Sequence, residues 1–248
     1  MKTTKTRRHE GAKARRGLVM LAAAAATVWL GASVWAQNGN RASGHANMLT
    51  AQEQKEGWTL LFDGKTLDKW NVTPELAKVW KVVDGTIKAD MSGDGGTMLT
   101  KDSFDNFALK VEFRAHPDIN SGIMLRNPPP RPAPAPGEKP APPAGGPGYE
   151  LQIRDRNPGN YSSGDFLTGS VVNVGKAPHD AKIIPNEWNT MDVTVDKDHF
   201  VVLFNGRKVV DANDSKRASG HIGLQLAHPE DVRHANIEFR NLKVRRLP

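Results

Sequence analysis

The sequence predicts an all-β fold, a sandwich or jelly roll of two antiparallel sheets, and three observations carry that prediction. Short runs alternate apolar and polar residues with a period of two, which puts one face on a core and the other toward solvent or a ligand. Dipeptides suited to tight β-turns lie between such runs, and no stretch after the N-terminal region shows a helical stripe longer than two turns. Many short strands at close spacing are the pattern of a sandwich or jelly roll.

The N-terminal 36 residues have the three parts of an export signal. A basic region ends at Arg16, an apolar stretch runs from Leu18 to about Leu30, and Val34-Trp35-Ala36 places small residues where a signal peptidase reads. Cleavage is expected after Ala36. The apolar run is shorter than the roughly 20 residues that span a bilayer, so no stable membrane anchor is predicted. Arg15-Arg16-Gly17-Leu18-Val19 loosely fits a twin-arginine signal, without the polar residue that normally precedes the pair. The expected location is periplasmic or extracellular. With no cysteine, neither a lipoprotein anchor nor a disulfide is available.

This segment also explains the charge. The chain is formally +7, yet residues 1–36 hold seven of its 34 basic residues and one of its 27 acidic ones. What remains is 27 basic against 26 acidic residues, a net of +1, which leaves no electrostatic footprint for a nucleic acid.

Residues 37–56 are polar, aperiodic and rich in small residues, and read as a flexible lead-in. From Gly57 to Pro248 the chain is long enough for one well-buried domain and too short for two of ordinary size. Asp84-Gly85 lies between the runs VWKVV and TIKAD and predicts a hairpin. In the next run Phe107, Leu109, Val111 and Phe113 alternate with Ala108, Lys110, Glu112 and Arg114. The Pro-rich stretch 128–147 holds ten of the 17 prolines, cannot join a sheet ladder, and is an extended insert between SGIMLR and YELQI. It reads as a solvated spacer, the alternative being a rim over a binding face. Beyond it, Tyr149, Leu151 and Ile153 alternate with Glu150, Gln152 and Arg154. Asn205-Gly206 predicts a second hairpin, and Ile222, Leu224 and Leu226 alternate with His221, Gly223 and Gln225. Trp58, Trp70, Trp80 and Trp188 each adjoin a strand boundary and read as packing residues rather than sugar platforms.

Ten strings now follow one another in fixed order: GWTLLFDGKTLDKW, WKVVDGTI, FALKVEFR, NSGIMLR, GYELQIRD, TGSVVNV, EWNTMDVTV, LFNGRKVVD, GHIGLQLAH and IEFRNLKVRRL. Together they resemble the 3-keto-disaccharide hydrolase family over nearly all of residues 57–248. The resemblance implies a concanavalin-like, lectin-type jelly roll and an oxidised glycoside as the carbohydrate partner. A ketone at carbon 3 acidifies the proton on carbon 2. A base that removes this proton generates an enolate able to expel the aglycone from carbon 1, and water addition completes a net hydrolysis. Direct hydrolysis would instead need two carboxylates flanking the bond.

The strand alternation offers residues for either route. Glu150 is the leading candidate carboxylate, with Gln152 on the same side of its strand. Arg126, taken as pointing away from the core with Met124, is the candidate for orienting substrate or stabilising oxyanion charge. His221 and Asp155 compete for the second acid–base role, and Gln225 would bind sugar hydroxyls. Glu112, beside Lys110 and Arg114, and His228 complete the candidate substrate-binding set. Relatives typically place a histidine one or two residues after the glutamine, whereas Leu226-Ala227 intervene between Gln225 and His228. The plain alternative for Glu150 and Arg126 is a cross-strand ion pair.

No cofactor is predicted. Asp90 and Asp94 among Gly93, Gly95 and Gly96 lack the further acidic positions of a calcium loop and read as a turn, and no histidines have zinc-ligand spacing. A divalent ion held by separated strands leaves no trace in local spacing. Two other functions stand beside the keto-glycoside enzyme. One is a non-catalytic carbohydrate-binding module. The other is a conventional retaining glycosidase, for which the expected Glu-x-Asp-x-x-Glu strand is missing.

Overall fold

The computed structural model describes residues 46–90 (of Asp90 the backbone alone), 95–129, 147–155, 166–227 and 235–248. The expected signal segment, residues 37–45, residues 91–94 with the turn expected there, the Pro-rich stretch 130–146 and His228 lie outside them.

Among the described residues thirteen strands form two antiparallel sheets, as the alternation predicts. The larger contains β1 (Thr59–Leu60), β3 (Trp80–Val83), β4 (Thr86–Asp90), β6 (Phe107–Ala115), β9 (Asn189–Asp196), β10 (His199–Phe204), β11 (Arg207–Asn213) and β13 (Asn236–Arg246). Its order is β11-β10-β9-β6-β13-β4-β3, with β1 on the far part of β13. The smaller contains β2 (Trp70–Asn71), β5 (Gly96–Phe104), β7 (Ser121–Asn127), β8 (Tyr149–Ile153) and β12 (Gly220–Leu226), in the order β2-β5-β12-β7-β8. Only two short helices occur among the described residues, α1 (Ala51–Lys55) and α2 (Leu76–Val79).

The core is the meeting of the two inward faces. Phe107, Leu109, Val111 and Phe113 of β6 pack with Met191, Val193 and Val195 of β9 on one side. Met98, Ile123, Leu151 and Leu224 supply the other. Strand β13 would lose its parity over eleven residues, but a bulge at Asn241 (φ 52°) resets it. Ile237 and Phe239 point inward before the bulge, Leu242 and Val244 after it. Both expected hairpins form, with positive φ at Asp84 and Gly85 (47° and 74°) and at Asn205 and Gly206 (48° and 77°). Trp70 and Trp80 are buried in the core, whereas Trp58 and Trp188 lie on the outward face of the larger sheet beneath arginine and lysine side chains.

The lead-in differs from expectation at its C-terminal end. Residues 46–56 are docked rather than flexible. Asn47 and Asn241 exchange backbone N–H to side-chain Oδ1 hydrogen bonds (2.6 and 2.9 Å), and Asn47 Nδ2 donates to Gly85 O (2.8 Å). Thr50 and Glu53 close a capping box that starts α1, and Glu53 Oε2 accepts from Lys243 Nζ at 2.8 Å. A five-residue helix does not hold by itself in water; these long-range contacts hold it.

Candidate functional site

The outward face of the smaller sheet is built from two rows of residues set by strand register. Thr97, Gln225, Gly122 and Gln152 lie across β5, β12, β7 and β8 in one row; Leu99, Gly223, Met124 and Glu150 form the next. Their neighbours in sequence, Met98, Leu224, Ile123 and Leu151, are fully buried in the core, so parity obliges both rows to face out.

The Glu150 side chain lies flat over Gly122: a Cβ built there would stand 3.0 Å from Oε1 and 3.1 Å from Cγ. The carboxyl thereby sits over β7, between the strand that carries Gln152 and the strand that carries Gln225. Residues 168–172 run along the free edge of β8, with Gln152 N donating to Ser170 O (2.9 Å), Gly169 N to Gln152 O (3.0 Å) and Val172 N to Glu150 O (2.9 Å). This added edge buries Gln152 to 1% exposure.

Burial pushes the Glu150 pKa up, and the Arg154 charge opposes the rise in part. The carboxyl accepts no hydrogen bond among the described residues, and Gln225 Oε1 is buried without a partner. Such a carboxyl exchanges a proton closer to neutral pH than an exposed one, and the Gln225 amide oxygen can receive a hydroxyl, whereas Gln152 Oε1 already accepts from Ile153 N at 3.2 Å.

Three predicted residues therefore converge, Glu150, Gln152 and Gln225. Four others do not. Arg126 takes a left-handed backbone (φ 51°), so the alternation that pointed it outward ends there. Its guanidinium is buried. Nε donates to Asp105 O (2.7 Å), Nη1 to Lys197 O (2.6 Å) and Arg217 O (3.0 Å), and Nη2 to Asn106 Oδ1 (3.3 Å). It stands 5.9 Å from the Phe200 ring centroid, and burial lowers its pKa. Arg126 clamps three turns and forms no pair with Glu150.

Asp155 is likewise structural. Its Oδ1 accepts from Thr168 Oγ1 (2.7 Å) and its Oδ2 from Ile183 N (2.8 Å), which occupies both oxygens in pinning the 166–183 segment. Glu112 belongs to the other sheet and pairs on its outward face with Arg240 Nε at 2.7 Å. His221 shares the sheet of Glu150 but not its cluster. Its Nδ1 faces two acceptors on β5, Thr100 O (2.8 Å) and Asp102 O (3.1 Å), so Nδ1 carries the proton and the ring turns away from β7 and β8. A bulge between His221 and Gly223 accompanies this turn.

Arg154, Gly122 and Met124 were missed as site residues, although all three were within reach of the sequence. Arg154 follows Gln152 on the same parity as Glu150, and its Nη2 donates to Phe166 O at 3.4 Å. Among the described residues no group of three or more histidines, aspartates or glutamates could hold a metal ion. A groove of about 580 Å³ opens on the outward face of the larger sheet near Trp188, remote from Glu150. Among its charged groups, Arg114 and Lys88 pair with Glu238 (2.6 and 3.4 Å), and Arg240 pairs with Glu112 (2.7 Å).

Residues 57–245 match a family model described as the 3-keto-alpha-glucoside-1,2-lyase-like domain. A Bacteroides thetaiotaomicron protein named 3-keto-disaccharide hydrolase is 33% identical over 78 residues, a stretch spanning 28% of this chain and 27% of that protein. Two Parabacteroides distasonis structures, both provisionally described as glycosyl hydrolases, share the fold. One has TM-score 0.64 at 23% identity and covers 82% of this chain and 100% of its own. The other has TM-score 0.55 at 24% identity and covers 77% and 99%. The exoplasmic domain of VIP36, bound to calcium and a mannose-containing glycan, has TM-score 0.50 at 11% identity and covers 78% and 90%.

Proposed function

Because the chain belongs to the family of 3-keto-alpha-glucoside-1,2-lyase-like domains, we propose that it is an exported enzyme that cleaves 3-keto-glycosides, with Glu150 as its acid–base residue. The observation that carries this reading is the Glu150 carboxyl, desolvated, without a hydrogen bond among the described residues and seated between two glutamine-bearing strands on an outward sheet face. Residues 1–36 would direct it to the periplasm or beyond, and no described helix is long and apolar enough to cross a membrane.

Glu150, ionised, takes the proton from carbon 2 of the bound sugar, and the C–H electron pair passes into an enolate on the carbon 3 oxygen. Its collapse restores the ketone, forms the C1=C2 double bond and breaks the bond from carbon 1 to the aglycone oxygen. Glu150 returns its proton to that oxygen, releasing the alcohol and regenerating the carboxylate. Water adding hydroxyl to carbon 1 and hydrogen to carbon 2 completes net hydrolysis. Burial raises the basicity of Glu150 toward the strength this abstraction needs. Gln225 would hold a ring hydroxyl, the buried Gln152 would support the strand from behind, and the Arg154 charge would favour the enolate.

The test is to incubate the purified protein with a 3-keto-disaccharide and with its unoxidised parent, with and without a chelator. Cleavage of the keto sugar alone, reduced about 10²–10⁴-fold by Glu150→Gln, supports the proposal. Binding of the keto sugar without turnover would leave a carbohydrate-binding module. Cleavage of the parent would point to a conventional glycosidase, and loss on chelation would show a metal requirement.

A further inference from the structure

Glycine inside a strand weakens it, since it has no side chain to pack and leaves more backbone freedom to lose on folding. Gly122 is such a glycine. It sits in the middle three strands of the smaller sheet, paired with Gln152 on one side and Gln225 on the other. Its φ is not among the positive values, so the backbone itself would accept any residue. The demand for glycine comes from what lies over it. An added Cβ would meet Glu150 Oε1 at 3.0 Å, Glu150 Cγ at 3.1 Å and Leu151 O at 3.3 Å, all tighter than side chains normally tolerate.

We propose that Gly122 is a positioning residue for the acid–base carboxyl: its missing side chain is the seat in which Glu150 lies. The proposal rests on the reading of Glu150 given above. A longer side chain at 122 would lift the carboxyl off the sheet, away from Gln152 and Gln225 and toward water. Two consequences follow. The carboxyl loses its alignment with the bound sugar, and it regains hydration, so its pKa falls toward that of an ordinary glutamate.

The test compares Gly122→Ala, Glu150→Gln and the double variant in the full protein. Gly122→Ala should lower kcat about 10–100-fold, the order expected for a catalytic group displaced by about 1 Å. The acidic limb of its pH–rate profile should move to lower pH, and the carbon-13 titration of the Glu150 carboxyl should move the same way. In the Glu150→Gln background Gly122→Ala should have no further effect on turnover, because a seat without its occupant does nothing. Additive losses in the cycle, or an unchanged Glu150 titration, would overturn the proposal. If Glu150→Gln is inactive while Gly122→Ala keeps wild-type kcat and titration, the seat fails and the catalytic reading stands. If Glu150→Gln retains full activity, that reading fails first, and the titration still reports whether Gly122 sets the carboxyl's environment.

Discussion

Replacing Arg126 by methionine separates a structural arginine from a catalytic one. The substitution keeps the length of the stem and the burden of a left-handed backbone, and removes only the guanidinium. That group satisfies three main-chain carbonyls and one side-chain oxygen in three separate turns, and it is 1% exposed. A buried acceptor left unpaired costs about 1–3 kcal/mol, but turn carbonyls near the rim regain some water. Taking about 1 kcal/mol for each of the four acceptors gives a loss of about 3–5 kcal/mol. For a domain of this size that is a fall in Tm of about 6–20 °C. Lysine at 126 should recover less than half, since one ammonium cannot span the acceptors that the planar fork reaches. Urea unfolding is the assay: the midpoint should fall without a change in slope, and the protein that remains folded should turn over substrate at the wild-type rate. Unchanged stability with lost activity would refute this reasoning and restore Arg126 to the substrate site.

Asn47→Ala should destabilise by about 2 kcal/mol, because it breaks the side-chain bonds to Asn241 and Gly85 and leaves alanine at φ 58°. Hydrogen exchange should rise in α1 and at the β3–β4 turn while β6 and β9 stay protected. Asp192 on β9 has its pKa raised to about 6 from 3.8, first by burial and then by Glu112, against the pull of Lys110. The folded state therefore holds a proton that the unfolded state releases, and the stability this gives is full below pH 3.8 and lost as pH rises through about 6. Asp192→Asn should accordingly stabilise the protein at pH 7 by up to about 3 kcal/mol and do little at pH 3.5, as measured by thermal melts across that window. Equal effects at both pH values would show that Asp192 ionises normally.

Much of this protein was legible in the chain itself. The alternation of β6, β8 and β12 predicted their inward faces, the two hairpin dipeptides formed their turns, and ten strings in order identified the family. Parity also placed Glu150 and Gln152 on one outward face, because period-two alternation is a property of neighbouring residues. Even α1 had a local sign, Thr50 and Glu53 at capping-box spacing, although the helix depends on Lys243 far along the chain. What parity cannot supply is the sheet to which a strand belongs, or the fate of a side chain once the strand ends. Glu112 has the right parity in the wrong sheet. Arg126 and Asp155 stand at strand ends, where one left-handed residue or one returning loop turns a side chain from the open face into a clamp. His221 follows a bulge onto the β5 carbonyls. The seat at Gly122 exists because β7 and β8 pair in one register, bringing together residues separated by the whole Pro-rich insert. Sequence determined the faces, since they are local; packing decided the site, because its members meet only when distant strands are laid side by side.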